Sequence, residues 1–203
     1  HSFATNQTMV QDSIFLQDLE ITDVQELYLG MRNVLAKGHV FEGSIAYGIV
    51  TDFAHFIRYD TDNYNRFRIL YVDGNVNQLH VNANYSSKIN DIIDFNVKMD
   101  YFSWDVDVYN RSNLNANLNA PINLRDKIKV NPSISYIGSR IVMHNTISEL
   151  PEQIHVNLGL YYFYSKQISA SFQLNNLTNS KKDLWLGYRE AGFNGVFGVN
   201  FSF

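Results

Sequence analysis

Residues 113–124 read NLNANLNAPINL. Leu114, Ala116, Leu118, Ala120, Ile122 and Leu124 take every second position; Asn113, Asn115, Asn117, Asn119, Pro121 and Asn123 take those between. A strand turns successive side chains to opposite faces, so this stretch carries one apolar face and one face of neutral amides. A helix would smear the two together. Two environments reward such a strand: a soluble sheet with one face packed, or a barrel whose outer face meets lipid and whose inner face meets a wet lumen.

The same alternation runs outward in both directions. Ile128, Val130, Ile134 and Tyr136 oppose Lys129, Asn131, Ser133 and Ser135; Ile154, Val156, Leu158, Leu160 and Tyr162 oppose His155, Asn157 and Gly159. Upstream, Phe95, Val97, Met99 and Tyr101 oppose Asn96, Lys98 and Asp100, and Leu79, Val81, Ala83 and Tyr85 oppose His80, Asn82 and Asn84. The period predicts strands over about 24–36, 40–59, 66–86, 91–106, 112–123, 127–140, 153–164, 168–178 and 194–203. Residues 1–23 form an unassigned N-terminal segment and a candidate extra strand; 24–203 carry the strand series.

The connections alternate too. Short ones holding lysine lie at Ala36-Lys37-Gly38, Ser86-Ser87-Lys88, Arg125-Asp126-Lys127 and Tyr164-Ser165-Lys166; longer ones lie near 60–65, 107–111, 141–152 and 179–193. Short turns at one rim and long loops at the other is the outer-membrane barrel rule, the long loops being extracellular. The expected strands, often far longer than the ~5–6 residues usual in globular sheets, and the polar face of Asn, Ser and Gln rather than Lys and Glu, point the same way. Aromatic clusters at Tyr101, Phe102, Trp104, at Tyr161–Tyr164 and at Phe201, Phe203 suit interfacial girdles. The predicted fold is therefore all-β: an antiparallel up-and-down transmembrane β-barrel, or the C-terminal strands of a larger one.

Bulk properties restrict the rest. The 203-residue chain has formal charge −4 and no block of like charge, so no basic footprint for nucleic acid. It has no cysteine, which removes thiol catalysis and cysteine metal sites. No apolar run reaches the ~18 residues of a transmembrane helix, and a mean hydropathy of −0.21 is what averaged alternating strands give. Asparagine occurs 24 times, in keeping with genome composition as well as with an amide-lined lumen.

Residues 124–203 contain LRDKIKVNPSISYIGSR, the strand HVNLGLYY, a Lys-containing turn, SASFQLNNLTN, Trp185-Leu186-Gly187-Tyr188, Gly192-Phe193-Asn194 and a closing strand that ends in Phe203. Together these resemble the C-terminal end of TonB-dependent-receptor-like outer-membrane barrels; LYLGMRNVLAKGHVFEGSIAYG and FRILYVDGNVNQLHVNANYSS fit more loosely. The resemblance implies a bacterial outer-membrane location, contact with outer-membrane lipid, and an assembly signal at Phe197, Val199, Phe201 and Phe203 read by the barrel-assembly machinery. It also implies TonB or other outer-membrane complex subunits as partners. Members of that family carry typically 22 strands, a plug and a TonB-contacting box; nine strands are read here, without plug or convincing box.

No catalytic cluster is legible. The histidines are scattered with no metal spacing, and no nucleophile elbow or phosphate loop appears. No cofactor or metal site is expected, and the chain is not read as an enzyme. Asp105 and Asp107, with Asp100 nearby, suit a solvated loop edge better than a calcium site. Trp185, Tyr188 and Arg189 lie in a long loop and suit contact with a sugar ring or partner protein as well as a plain rim role. Three functional readings stand: part of a receptor-like transporter or a barrel component of an outer-membrane complex; a complete structural or adhesive barrel of eight to ten strands; a soluble β-sandwich binding module.

Overall fold

The structure, a computed structural model, describes residues 21–58, 67–144 and 146–202. The candidate strand within 1–23 lies almost wholly outside the described residues, as do the 60–65 connection and Phe203. The chain forms β1 (Asp23–Ala36), β2 (His39–Arg58), β3 (Phe67–Lys88), β4 (Asp94–Trp104), β5 (Leu114–Asn119), β6 (Ile122–Leu124) and β7 (Ile128–Ile137). Then come β8 (Arg140–His144), β9 (Thr146–Leu150), β10 (Gln153–Phe163), β11 (Ile168–Asn175), β12 (Asp183–Trp185), β13 (Tyr188–Arg189) and β14 (Asn194–Phe201). The main sheet runs β1-β2-β3-β4-β5-β7-β10-β11-β14, with β6 also on β7. Each strand is antiparallel to the next along the chain, the up-and-down order of a barrel wall. A sandwich would divide these strands between two packed sheets. The sheet is open: β1 and β14 are its edges and do not pair with each other.

Register carries the alternation across the wall. Residues directly opposite share a face. Ile45 pairs with Val81, Val81 with Tyr101, Tyr101 with Leu114. Leu118 pairs with Ile134, Ile134 with Val156; Leu160 pairs with Phe172, and Phe172 with Phe197. That face is apolar from edge to edge, and it is bare: Ile45 is 47% exposed, Phe172 41%, Phe197 69%. An apolar surface of this extent belongs against lipid or another protein, not water. Through the other face run Asn82–Asp100–Asn115 and Asn84–Lys98–Asn117–Ser135–His155, a wet lining of amides, hydroxyls and a few charges.

Antiparallel pairing runs through the wall, while a few residues set the breaks. Gly38, at φ 83°, makes the tight β1–β2 turn. Gly159 lies under the Tyr161 ring, 3.1 Å from where a Cβ would sit, so the aromatic covers the gap its neighbour leaves. The expected strand 112–123 divides into β5 and β6 at Ala120-Pro121, where Ala120 N donates to Pro132 O of β7 at 3.2 Å and each proline withholds an N–H from the ladder. The expected strand 127–140 stops at Ile137: Gly138 N donates to Leu114 O at 2.8 Å, and from Arg140 the chain turns away into β8.

β2 and β3, of 20 and 22 residues, span roughly 65–75 Å at ~3.3 Å per residue, far more than the ~25 Å apolar band of an outer-membrane barrel. Their upper ends stand beyond β1 and β4 at the long-loop rim, past a bulge where Asp52 has φ 54° and Thr51↔Asn75 gives way to Phe53↔Val72. The left-handed Asp52 resets the parity on β2, so Phe53, His55 and Ile57 turn inward and are buried.

The face assignment predicts an asymmetry between neighbours. Leu118→Arg, in the middle of the apolar face, should destabilise the bilayer-inserted protein by about 2–4 kcal/mol. Asn117→Arg, one residue away on the wet face, should cost under about 1 kcal/mol. Urea unfolding of the native protein in lipid bilayers measures both.

Candidate functional site

Three long connections converge on the inner face at one rim. The β4–β5 connection, 105–113, folds inward over β2 and β3: Val108 joins Val50, Phe53 and Val76 in an apolar cluster flanked by Val72, Trp104 and Val106. Asn110, at φ 62°, donates from Nδ2 to Phe56 O at 2.6 Å and from its N–H to Ile141 O at 2.7 Å. The second connection is the β8–β9 hairpin, bridged to Tyr109 through Ile141 and burying Val142 and Leu150. The third, 176–193, holds the β12–β13 hairpin. Gln153 Nε2 and one Arg140 nitrogen both donate to Asp183 O, at 2.6 and 3.3 Å, and Arg140 Nη1 donates to Leu184 O at 2.6 Å.

Asn176 ties the third connection closed. It is buried, sits at φ 52°, and donates from Nδ2 to Ser180 O and Ala191 O, at 2.7 and 2.9 Å. Its Oδ1 accepts from Ser180 N and Thr178 Oγ1, while its own N–H donates to Asn157 Oδ1 on the wall. The NNLTN stretch is thus a built corner: asparagine tolerates the left-handed conformation and carries both donors and an acceptor. Glu190 reaches His155 Nδ1 at 2.6 Å and pins the loop's far end to β10.

Between these connections and the wall lies a cleft of about 270 Å³. Phe102, Trp104 and Ile137 form its apolar side; Arg111, Arg140 and Asn115 are among its polar groups. His80, Phe102 and Trp104 stand as a row of near-parallel rings, with centroids 4.1 and 5.5 Å apart, and Trp104 Nε1 donates to Gln78 Oε1 at 2.9 Å. This corrects the girdle expectation for Phe102 and Trp104. Only Tyr101 of that cluster faces outward; the residues beside it alternate, and their partners His80 and Gln78 are luminal.

Asp100, Asp105 and Asp107 do not gather. Asp100 engages Asn82, His80 and Lys98. Asp105 is exposed and takes two hydrogen bonds from Asn77, at 2.6 and 2.9 Å; the side-chain one above all holds its carboxyl below the usual carboxylate range. Among the described residues no three His, Asp or Glu side chains are placed to hold a metal. Trp185, Tyr188 and Arg189 come together in the β12–β13 hairpin, Trp185 opposite Tyr188 and Arg189 3.9 Å from Asp183, all partly exposed at the rim. Phe197, Val199 and Phe201 share the outer face of the edge strand β14. Arg111, Arg140 and Asn176 went unmarked in the sequence, because their decisive partners lie up to 58 residues away, Ala191 of the Asn176 corner 15 away and Leu184 of the Arg140 contact 44 away.

No family model matches this chain, and no curated protein matches it in sequence. Solved structures do match in fold. The ferripyoverdine receptor of the outer membrane of Pseudomonas aeruginosa superposes with TM-score 0.68 at 13% identity, over 90% of this chain and 27% of that one. The ferric enterobactin receptor PfeA of P. aeruginosa gives 0.68 at 12%, over 90% and 31%. The ferric-catecholate import receptor Fiu of Escherichia coli K12 gives 0.67 at 13%, over 92% and 28%. The fold is therefore that of one portion of the β-barrel of TonB-dependent outer-membrane receptors, and the chain spans about three-tenths of the length of these structures.

Asn176→Ala removes four side-chain hydrogen bonds and leaves alanine at a positive φ. It should lower the free energy for opening 177–193 by roughly 2–4 kcal/mol. Limited proteolysis should then cut this loop faster while the barrel strands stay protected.

Proposed function

We propose that this chain is part of the wall of an outer-membrane β-barrel of a Gram-negative bacterium, and that the whole protein takes up a solute as TonB-dependent receptors do. The observation that carries this is where the three long connections lie. They fold against the wet face and build a cleft there, as a pore that selects a solute needs, whereas a purely structural barrel needs only a closed wall. The apolar outer face then meets lipid, and the open edges at β1 and β14 join further strands of the same barrel, because unpaired backbone is too costly in a bilayer.

On this reading TonB supplies the energised partner, and the barrel-assembly machinery reads β14 through Phe197, Val199 and Phe201, with Phe203 completing the signal. Trp185, Tyr188 and Arg189 present a contact surface at the extracellular rim. The receptors named above are described as receptors for ferripyoverdine and ferric enterobactin and as a ferric-catecholate import receptor; the solute of the present protein is set by its own cleft.

Energised cells with and without the native protein test the reading through the composition of their spent medium. At least one solute should be depleted only when the protein is present and the inner membrane is energised. Identical media would leave a structural or scaffolding barrel and contradict uptake.

A further inference from the structure

We infer that the luminal cleft between Arg111 and Arg140 binds a small planar organic carboxylate. The inference rests on the uptake reading for its biological use, and on the cleft alone for its chemistry.

The cleft is two-sided. Phe102, Trp104 and Ile137 offer apolar surface, and the parallel rings of His80, Phe102 and Trp104 make one wall rigid and flat. Opposed to this is positive charge without an anionic partner. Arg140 is 8% exposed, yet among the described residues it forms no ion pair with a carboxylate. Its Nη atoms are spent on two neutral carbonyls, and among the described residues its Nε has no hydrogen-bond partner. A guanidinium buried this far, with an unmet donor and no counter-ion, leaves an uncompensated positive field in a region of low dielectric.

Arg111 supplies the direct contact. It is exposed at the cleft, and its guanidinium carbon sits 4.8 Å over the Phe53 ring, which holds the planar fork in place; no hydrogen bond or ion pair to another described residue engages its donors. Ser112 Oγ donates to Asn115 Oδ1 at 2.7 Å, which orients that amide and leaves its NH2 as a further donor.

Nearby carboxylates are engaged elsewhere: Asp100 with His80 and Lys98, Asp183 with the Gly187 N–H and Arg189, and Glu190 with His155 through Oε1, its Oε2 being buried without a hydrogen-bond partner among the described residues. Among the described residues no Asp or Glu lines the cleft. In a chain of net charge −4 this is a local reversal of sign. Planar donors ask for a planar oxyanion, and the flat apolar wall asks for a planar body attached to it.

The test uses the full native protein in detergent, titrated with naphthoate and followed by probe fluorescence. Saturable binding should be seen, with neutral naphthamide about tenfold weaker or worse. Arg111→Gln should weaken naphthoate about tenfold and leave naphthamide unchanged, while Arg111→Lys keeps part of the affinity. Phe102→Leu should weaken both ligands. Inorganic phosphate at equal concentration should not displace naphthoate.

Heat-modifiable gel migration checks that each variant is folded, and Arg111, being exposed, is the safer site than Arg140. Equal binding of naphthoate and naphthamide, unchanged binding by Arg111→Gln, or displacement by phosphate would each overturn the inference. If those failures appear while a solute is still depleted from the medium, only the cleft assignment falls. If naphthoate binds as described while the medium is unaffected by the protein, only uptake falls.

Discussion

A strand that crosses lipid has no water to satisfy its N–H and C=O groups, so a neighbouring strand must satisfy all of them. The rest of this structure depends on that constraint. It requires long unbroken ladders, and β2 with β3 holds register from His39↔Ser87 to Arg58↔Phe67 with one interruption at the bulge. It also requires a side-chain code that works without a soluble core. With nine strands in chain order and one apolar face from β1 to β14, the side chains that a soluble protein would bury stay exposed on the outer face, as a wall built to face lipid requires. Few side chains among the described residues are buried, and most of those sit where the connections fold inward, Ser87 at the short-turn rim and Ala46 in mid-strand being apart from them.

The inner face obeys a different economy. Over most of its height it is a sheet of amides and hydroxyls, hydrogen-bonded across strands in pairs such as Asn84–Asn96 and Asn82–Asp100. At the long-loop rim that pattern is broken on purpose: Val50, Phe53, Val76 and Val108 make a small dry core on the wet side. That core fixes the 105–113 connection, whose Asn110 then positions β8 through Ile141, and Arg140 of β8 in turn grips the β12–β13 hairpin. The cleft is therefore rigid at its base, because each wall is anchored to another by buried groups, and its chemistry follows from which side chains that chain of contacts leaves facing it.

The strand series was legible because period two is a local signal: it needs only side-chain character at neighbouring positions. The nine expected strands recur with ends shifted by a few residues, and the alternation of short and long connections matches their rims. Shorter features escaped it. The hairpins β8–β9 and β12–β13 were read as loops, since strands of 2–5 residues give too few repeats to register as alternation, although Ile141–Met143 and Ile147 with Leu150 carry a trace of it. Aromatic content alone does not reveal facing, which is why Phe102 and Trp104 looked like girdle residues. The bulge at Asp52 was invisible too, since nothing in TDFAH marks an aspartate at positive φ. The cleft was the least legible of all: Phe102 lies on β4, Arg111 in the connection that follows it and Arg140 on β8, and they meet only after the wall has formed.

A cysteine scan of β10 tests the central claim most directly, and the absence of cysteine from these residues keeps the background clean. Single cysteines from Ile154 to Tyr162 would be placed in the native protein, reconstituted in bilayers and exposed to a water-soluble maleimide. Labelling should follow a strict period of two, with His155, Asn157, Gly159 and Tyr161 reactive and Ile154, Val156, Leu158, Leu160 and Tyr162 silent. Uniform labelling, or reactivity concentrated on the Ile154–Tyr162 face, would contradict a lipid-facing barrel wall.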